Sequence, residues 1–301
     1  MTLETPARTR GTGALLTVLV TGQAMATMDS SIVAVAVQTI RSGLHASGAV
    51  LQMIASGYVL SFAVVVVTGA RLGDLWGRRR LFLAGVGGFT ATSAACGLAP
   101  SAGALVGARI AQGVMAALMV PQVLSLIQRH FDGEKRARAI GVYSFVLALG
   151  VAGGQIAGGL IVTADLFGAS WRPALLVNVP IGIVLLAVGS RVLPPDPPVP
   201  ADRPRPRLDP VGAVLLAVAM AALVVPVEVG RESGWPRWTW CTLAAGAAVI
   251  AGFWRYEGHL AARAGRLDPA GAVRCGLEYR WSIRRCCARP GCVRRWRRAA
   301  W

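Results

Sequence analysis

Apolar residues run along this chain in stretches of about twenty, broken by short charged or proline-rich segments. A run of that length, at ~1.5 Å rise per residue, matches the ~30 Å hydrocarbon core of a bilayer. Period-two alternation is absent, which argues against a transmembrane barrel. The runs predict eight helical spans at about residues 13–37, 50–70, 81–99, 103–127, 139–163, 173–193, 210–230 and 238–254. The expected fold class is all-α: a polytopic membrane protein of about eight transmembrane helices.

Composition sharpens this. The chain is 54% hydrophobic and 15% charged, which excludes soluble and disordered classes when the apolar residues are clustered. Its net charge of +17 would suggest nucleic acid as a partner. The basic residues sit almost entirely in loops and after Trp254, however, so the positive-inside rule accounts for most of them and no nucleic acid is expected. One set of loops carries Arg8 and Arg10, then Arg71 and Arg78 to Arg80, then Arg129, Lys135, Arg136 and Arg138, then Arg191, Arg203, Arg205 and Arg207. The alternate loops carry only Arg41, Arg172, Arg231 and Arg237. Both ends are therefore expected in the cytoplasm of a multi-pass protein of the cell membrane.

Four segments follow: residues 1–193 as a six-helix bundle, 194–209 as a cytoplasmic Pro/Arg-rich linker, 210–254 as two additional spans, and 255–301 as a basic cytoplasmic tail. The linker cannot be helical, because its prolines lack the N–H a helix needs. Six spans plus a linker is the shape of one bundle of a transporter built from repeated halves.

Two charges lie inside spans: Asp29 in span one and Arg109 in span four. A charge at the bilayer centre costs ~2.5–3.5 kcal/mol on insertion scales, so neither is expected to face lipid. Either they line a polar cavity and couple an ion to a solute, or they form a structural pair that holds helices together. A carboxylate that gains and loses a proton is the minimum chemistry for coupling proton flow to efflux. An inverted three-plus-three repeat would place spans one and four in matching positions around one cavity.

Glycines mark two further features. Gly150, Gly154 and Gly158 recur every four residues, a stripe on which a neighbouring helix can approach closely. In the second loop Gly73 and Gly77 flank Asp74; both glycines are expected to permit a tight reversal, and Asp74 to cap the next helix or pair with arginines.

Taken together these residues resemble the major facilitator superfamily and, more narrowly, its fourteen-span drug:proton antiporter branch, the multidrug efflux group. The second loop is similar to G-x-L-a-D-r-x-G-r-k through Leu72, Asp74, Gly77, Arg78 and Arg79, with Ala70 in place of the first glycine. Leu105, Arg109, Gln112 and Gly113 match l-x-x-x-R-x-x-q-G in span four. Gly150, Gly154, Gly158 and Gly159 match the antiporter pattern g-x-x-x-G-P-x-x-G-G, with Gln155 replacing proline. Asp29, Ile32 and Val33 resemble the start of D-x-T-I-V-N-V-A-L-P, with Ala34 and Gln38 as departures. Trp171-Arg172 with Asn178, Pro180 and Gly182 resembles the entry to span six of this branch.

The resemblance implies proton-driven export of drugs or other lipophilic or cationic small molecules. Asp29 would be a proton or cation site and Arg109 a coupling residue. Gly73, Asp74, Gly77, Arg78 and Arg79 would form a cytoplasmic gate, and the antiporter glycines a hinge-like contact. The expected partners are a small-molecule substrate and the lipid bilayer. No enzymatic nucleophile–base set, metal cluster or cofactor is expected. The chain lacks a Walker-type phosphate loop, so an ion gradient, in this branch protons, would supply the energy.

The branch has fourteen spans, and this chain is expected to be C-terminally truncated, with eight. It would be a non-transporting fragment, or a half that needs a partner chain to supply a second bundle, or an exporter incomplete as written. After about Asp268-Pro269 the composition turns to arginine, cysteine and tryptophan. A frameshift, a basic membrane-surface patch and a nucleic-acid-binding tail are the three readings of that tail.

Overall fold

The computed structural model describes residues 9–165, 168–196, 215, 217–223, 226, 227, 230 and 234–267. Eight helices are defined among them: α1 (Thr9–Leu44), α2 (Gly48–Trp76), α3 (Arg78–Gly97), α4 (Ala102–His130), α5 (Gly133–Thr163), α6 (Arg172–Leu176), α7 (Asn178–Val192) and α8 (Arg237–Leu267). Most of the linker expected at 194–209, much of span seven and the tail after Leu267 lie outside the described residues.

Local chemistry sets the helix ends. Ser47 and Ser101 stand at the N-caps of α2 and α4, where their hydroxyls accept from the amides of Val50 and Ala104. Gly77 separates α2 from α3 by itself, at φ +96°, a conformation open to glycine and costly for L side chains. Span six is two helices. Pro180 has no N–H to offer the carbonyl of Leu176, and the hydrogen-bond ladder is interrupted at Val177 between α6 and α7, although Val177 keeps helical angles (φ −57°, ψ −29°). Ser93 on α3 reaches into this break and donates to the Leu175 carbonyl at 2.7 Å.

α1, α2, α4, α5 and the α6–α7 pair are long and apolar enough to cross a membrane. α3, expected as span three, is not in that group, because it opens on three arginines and carries Thr90, Thr92 and Ser93. It is nevertheless central, packed along α4 and α7. α8 differs from the expectation that span eight ends near 254: the helix runs to Leu267, into the segment assigned to the tail.

The chain divides into two units, Met1–Ala247 and Ala248–Trp301. Within the first, the most extensive helix contacts are α2 with α4, α1 with α5 and α3 with α4, followed by α3 with α7 and α1 with α7. Exchanging α1 with α4, α2 with α5 and α3 with α6–α7 maps this pattern onto itself, as a three-plus-three repeat requires. Also within this unit, Gly246 of α8 lies against Ala222 and Leu223, so the two additional spans touch. In the second unit the described residues continue α8.

The apolar interior of the bundle falls into two clusters. One holds Leu19, Met25, Phe82, Phe89, Met119 and Val123 among others. The other holds Val33, Ile40, Ile54, Leu105, Trp171 and Leu175. On α1 the first cluster ends at Ala26 and the second begins at Val33; on α4 the order is reversed, from Leu105 to Ala116. The interval between the clusters is where the charged residues sit.

Candidate functional site

α1 and α4 run antiparallel, so a residue late on α1 and one early on α4 share a depth. Asp29 and Arg109 are such a pair, and they meet: Arg109 Nη1 lies 2.5 Å from Asp29 Oδ2, with both side chains at most 1% exposed. The remaining carboxylate oxygen, Oδ1, accepts from Gln112 Nε2 at 3.0 Å and from Asn178 Nδ2 at 2.9 Å. Donors from two helices thus converge on one carboxylate from a third.

Arg109 is held as tightly. Its Nη1 also donates to Gln112 Oε1 at 2.6 Å, its Nε to the Ile54 carbonyl at 3.4 Å, and its guanidinium carbon lies 4.6 Å above the Tyr58 ring. Tyr58 in turn donates its hydroxyl to the Ala26 carbonyl, and Cys96 Sγ lies 3.5 Å from Gln112 Oε1. α1, α2, α3, α4 and α7 all contribute, which makes the network the polar joint of the bundle. Such a network stabilises only when its members are satisfied. One member is not: among the described residues Asn178 Oδ1 is buried without a hydrogen-bond partner, as is Gln23 Oε1 earlier on α1. A buried orphan acceptor costs ~1–3 kcal/mol.

The glycine stripe of α5 packs directly behind this site. Gly150 faces Thr27, Gly154 faces Met28 and Ser31, and Gly158 faces Ile32. The stripe therefore sets the distance between α5 and the part of α1 that carries Asp29. Gly159, expected in the same contact, is not in it: nothing lies within 4 Å of where its Cβ would be. A residue one position past Gly158 is turned ~100° around the helix.

The loop expected as a gate is built differently from the expectation. Gly73 does not reverse the chain; it is buried within α2, where a Cβ would strike the Gln122 side chain of α4. Gln122 Nε2 donates to the Gly69 carbonyl at 2.9 Å, so Gly69 and Gly73 together admit α4. Only Gly77 makes the turn. Asp74 does not cap α3; it pairs with Arg78 at 2.8 Å, and Arg78 Nη1 also reaches the Ser125 carbonyl at 3.3 Å.

The cap of α3 comes from far along the chain. Asp196 accepts from the amides of Arg79 and Arg80 at 3.1 and 3.3 Å. Arg79 answers by donating to the Leu193 and Ser190 carbonyls at the end of α7, at 2.9 and 2.5 Å. A carboxylate at a helix N-terminus and a guanidinium at a C-terminus both sit on the favourable end of the dipole. Asp196→Ala is expected to destabilise the bundle by about 1 kcal/mol, the typical cost of a lost cap, read as a lower thermal midpoint in detergent. An unchanged midpoint would show that the clasp adds nothing.

Of the residues singled out from the sequence, the structure brings Asp29 and Arg109 together, and Asp74 with Arg78. Gln112 and Asn178 entered the sequence reading only as parts of motifs, and Tyr58, Gln122 and Asp196 not at all. Gln112 carried a usable signal, since it lies three residues from Arg109 on one helix face.

The sequence profile of the Major Facilitator Superfamily matches residues 19–269. The chain is 41% identical over 244 residues to the "Probable actinorhodin transporter" of Streptomyces coelicolor, across 81% of this chain and 42% of that protein. It is 40% identical over 233 residues to the "Tetracenomycin C resistance and export protein" of Streptomyces glaucescens, across 77% and 42%. It thus spans less than half the length of these curated relatives. Among solved structures, a peptide transporter POT in complex with sulfate superposes with a TM-score of 0.52 at 17% identity, over 79% of this chain and 50% of that one. A D-xylose–proton symporter superposes with a TM-score of 0.50 at 16% identity, over 62% and 48%. These structural likenesses concern the fold, whereas the profile match and the identities of about two in five concern descent. The chain belongs to the Major Facilitator Superfamily, a family of membrane transporters.

Proposed function

We propose that this chain carries the proton-coupling half of an exporter for lipophilic or cationic small molecules of the antibiotic kind. The observation that carries the reading is Asp29: a fully buried carboxylate, paired with Arg109, at the junction of α1, α4 and α7. A carboxylate in that position can take up a proton when a cationic solute leaves its neighbourhood, and release it when one returns. The names of relatives support the substrate class, since they include transport, export and resistance proteins for actinorhodin, tetracenomycin C and methylenomycin A. Asp74 and Arg78, beside the Gly77 turn, would act as the cytoplasmic gate in the cell membrane, with both termini on the cytoplasmic side.

Export by everted vesicles containing the full chain is expected to collapse when a protonophore is added. It is expected to continue on an imposed proton gradient without ATP. Export that persists through the protonophore would overturn proton coupling.

A second reading has the chain working only beside a partner chain that supplies a second bundle, as alternating access needs two bundles around a shared site. What supports it is the arrangement of α1 to α7, which is that of one three-plus-three bundle. Export that appears only on co-expression of the second half of such a relative would select this reading.

A further inference from the structure

Asn178 is the only asparagine in the chain, and it stands at the break between α6 and α7. Its Nδ2 donates to Asp29 Oδ1, while its own Oδ1, although buried, has no partner among the described residues. That is half of a side chain used and half left idle beside a carboxylate that can change protonation.

An ionised carboxylate is an acceptor only; a protonated one has a hydroxyl that must find an acceptor. Arg109 holds Oδ2 of Asp29, so an arriving proton goes to Oδ1, which faces the two amides. Gln112 cannot receive it. Its Oε1 is already engaged by Arg109 Nη1 at 2.6 Å, and turning the amide over would set NH2 against guanidinium. Tyr58 and Cys96 are both committed as donors, to the Ala26 carbonyl and to Gln112. Asn178 Oδ1 is the vacant acceptor, and rotating the amide end over end presents it at the cost of the one Nδ2 bond to Asp29 that protonation makes redundant.

We infer that Asn178 is a two-state positioning residue for Asp29, donating through Nδ2 to the ionised carboxylate and accepting through Oδ1 from the protonated one. The inference rests on the reading of Asp29 as the proton carrier. The step balances simply: a proton from water joins Asp29 Oδ1, the N–H···O bond is replaced by an O–H···O bond, and both changes reverse on release. The amide would keep the buried acid hydrogen-bonded in both states, so that neither traps the proton.

The titratable groups facing this point are Asp29 on α1, Tyr58 on α2, Cys96 on α3 and Arg109 on α4; α5 presents its glycines to α1 here.

A single asparagine makes the test direct. The full chain, labelled with [13Cγ,15Nδ2]asparagine and placed in lipid nanodiscs, is followed by NMR from alkaline to acid pH. The expected result is that both ends of one amide respond at a shared midpoint. The Nδ2 protons lose the deshielding of the carboxylate as the 13Cγ carbonyl moves in the direction of an accepted hydrogen bond. A response confined to the N–H end makes Asn178 a plain donor and overturns the inference, leaving the Asp29 reading intact. An amide static at both ends while proton-driven export depends on Asp29 also overturns the inference alone. An amide static at both ends, with export indifferent to Asp29→Asn, overturns the inference and the reading together.

Discussion

Asp29→Asn is expected to reduce proton-driven export to the level of membranes lacking the protein while the chain still inserts. The substitution keeps the size of the side chain and removes both its charge and its capacity to carry a proton. Insertion follows the apolar content of α1, which is unchanged. What changes is the interior: Arg109, 1% exposed, loses its counter-ion. Leaving one partner of a buried pair unpaired costs about 3–5 kcal/mol, because the remaining charge stays desolvated. The variant should therefore unfold at lower temperature, and loss of export alone could reflect damage. Two measurements separate the causes. Substrate–substrate exchange across vesicles needs no net proton movement and should survive in Asp29→Asn. The double variant Asp29→Asn/Arg109→Gln removes both charges and should regain most of the lost stability without regaining proton-driven export. Normal export by Asp29→Asn would show that the pair only holds α1 and α4 together.

Gly154→Val is expected to have the second largest effect, this time through packing. A Cβ on Gly154 would lie 2.7 Å from the Met28 carbonyl oxygen and 2.9 Å from the Met28 Cα and Ser31 Cβ. Backbone atoms cannot rotate aside as a flexible side chain can, so α5 must move off α1. Overpacking of this kind costs about 1–3 kcal/mol, and the two further methyl groups of valine place this variant at the upper end. Met28 adjoins Asp29, so the displacement also shifts the carboxylate relative to Arg109. Gly158→Val should cost less, because its nearest neighbour, the Ile32 Cα, is 3.2 Å away. Gly159→Val, with open space at its Cβ, should stay within about 0.5 kcal/mol of the parent. Thermal unfolding of the three variants in one detergent gives the order directly; equal effects at Gly154 and Gly159 would refute the contact.

The eight apolar stretches, the alternation of basic loops and the two intramembrane charges were all legible in the chain itself. So was the placing of spans one and four around one cavity, which an inverted three-plus-three repeat implies. The glycine stripe was legible as a stripe but not as to its partner, and Gly159 shared the motif without sharing the contact. Around the Gly77 turn the pairing of Asp74 with an arginine was legible, whereas Gly73 was given the wrong role and the true cap of α3 was not seen. Gly73 makes room for Gln122, and the α3 cap is Asp196, one acidic residue in a proline-rich stretch whose helical neighbours lie more than a hundred positions earlier.

The division has a physical basis. Membrane spans, their orientation and their small-residue faces depend on transfer free energies and on a helical period that each segment carries within itself. By itself, then, the sequence determined an all-α membrane bundle with one acid and one base that had to avoid lipid. Which groups they meet depends on how each helix is rotated and how closely it approaches its neighbours, and those follow from contacts between residues far apart in the chain. The tertiary structure alone decided that Asp29 closes on Arg109, Gln112 and Asn178 at once, that the α5 glycines press on α1 behind it, and that one acceptor of Asn178 is left open beside the acid.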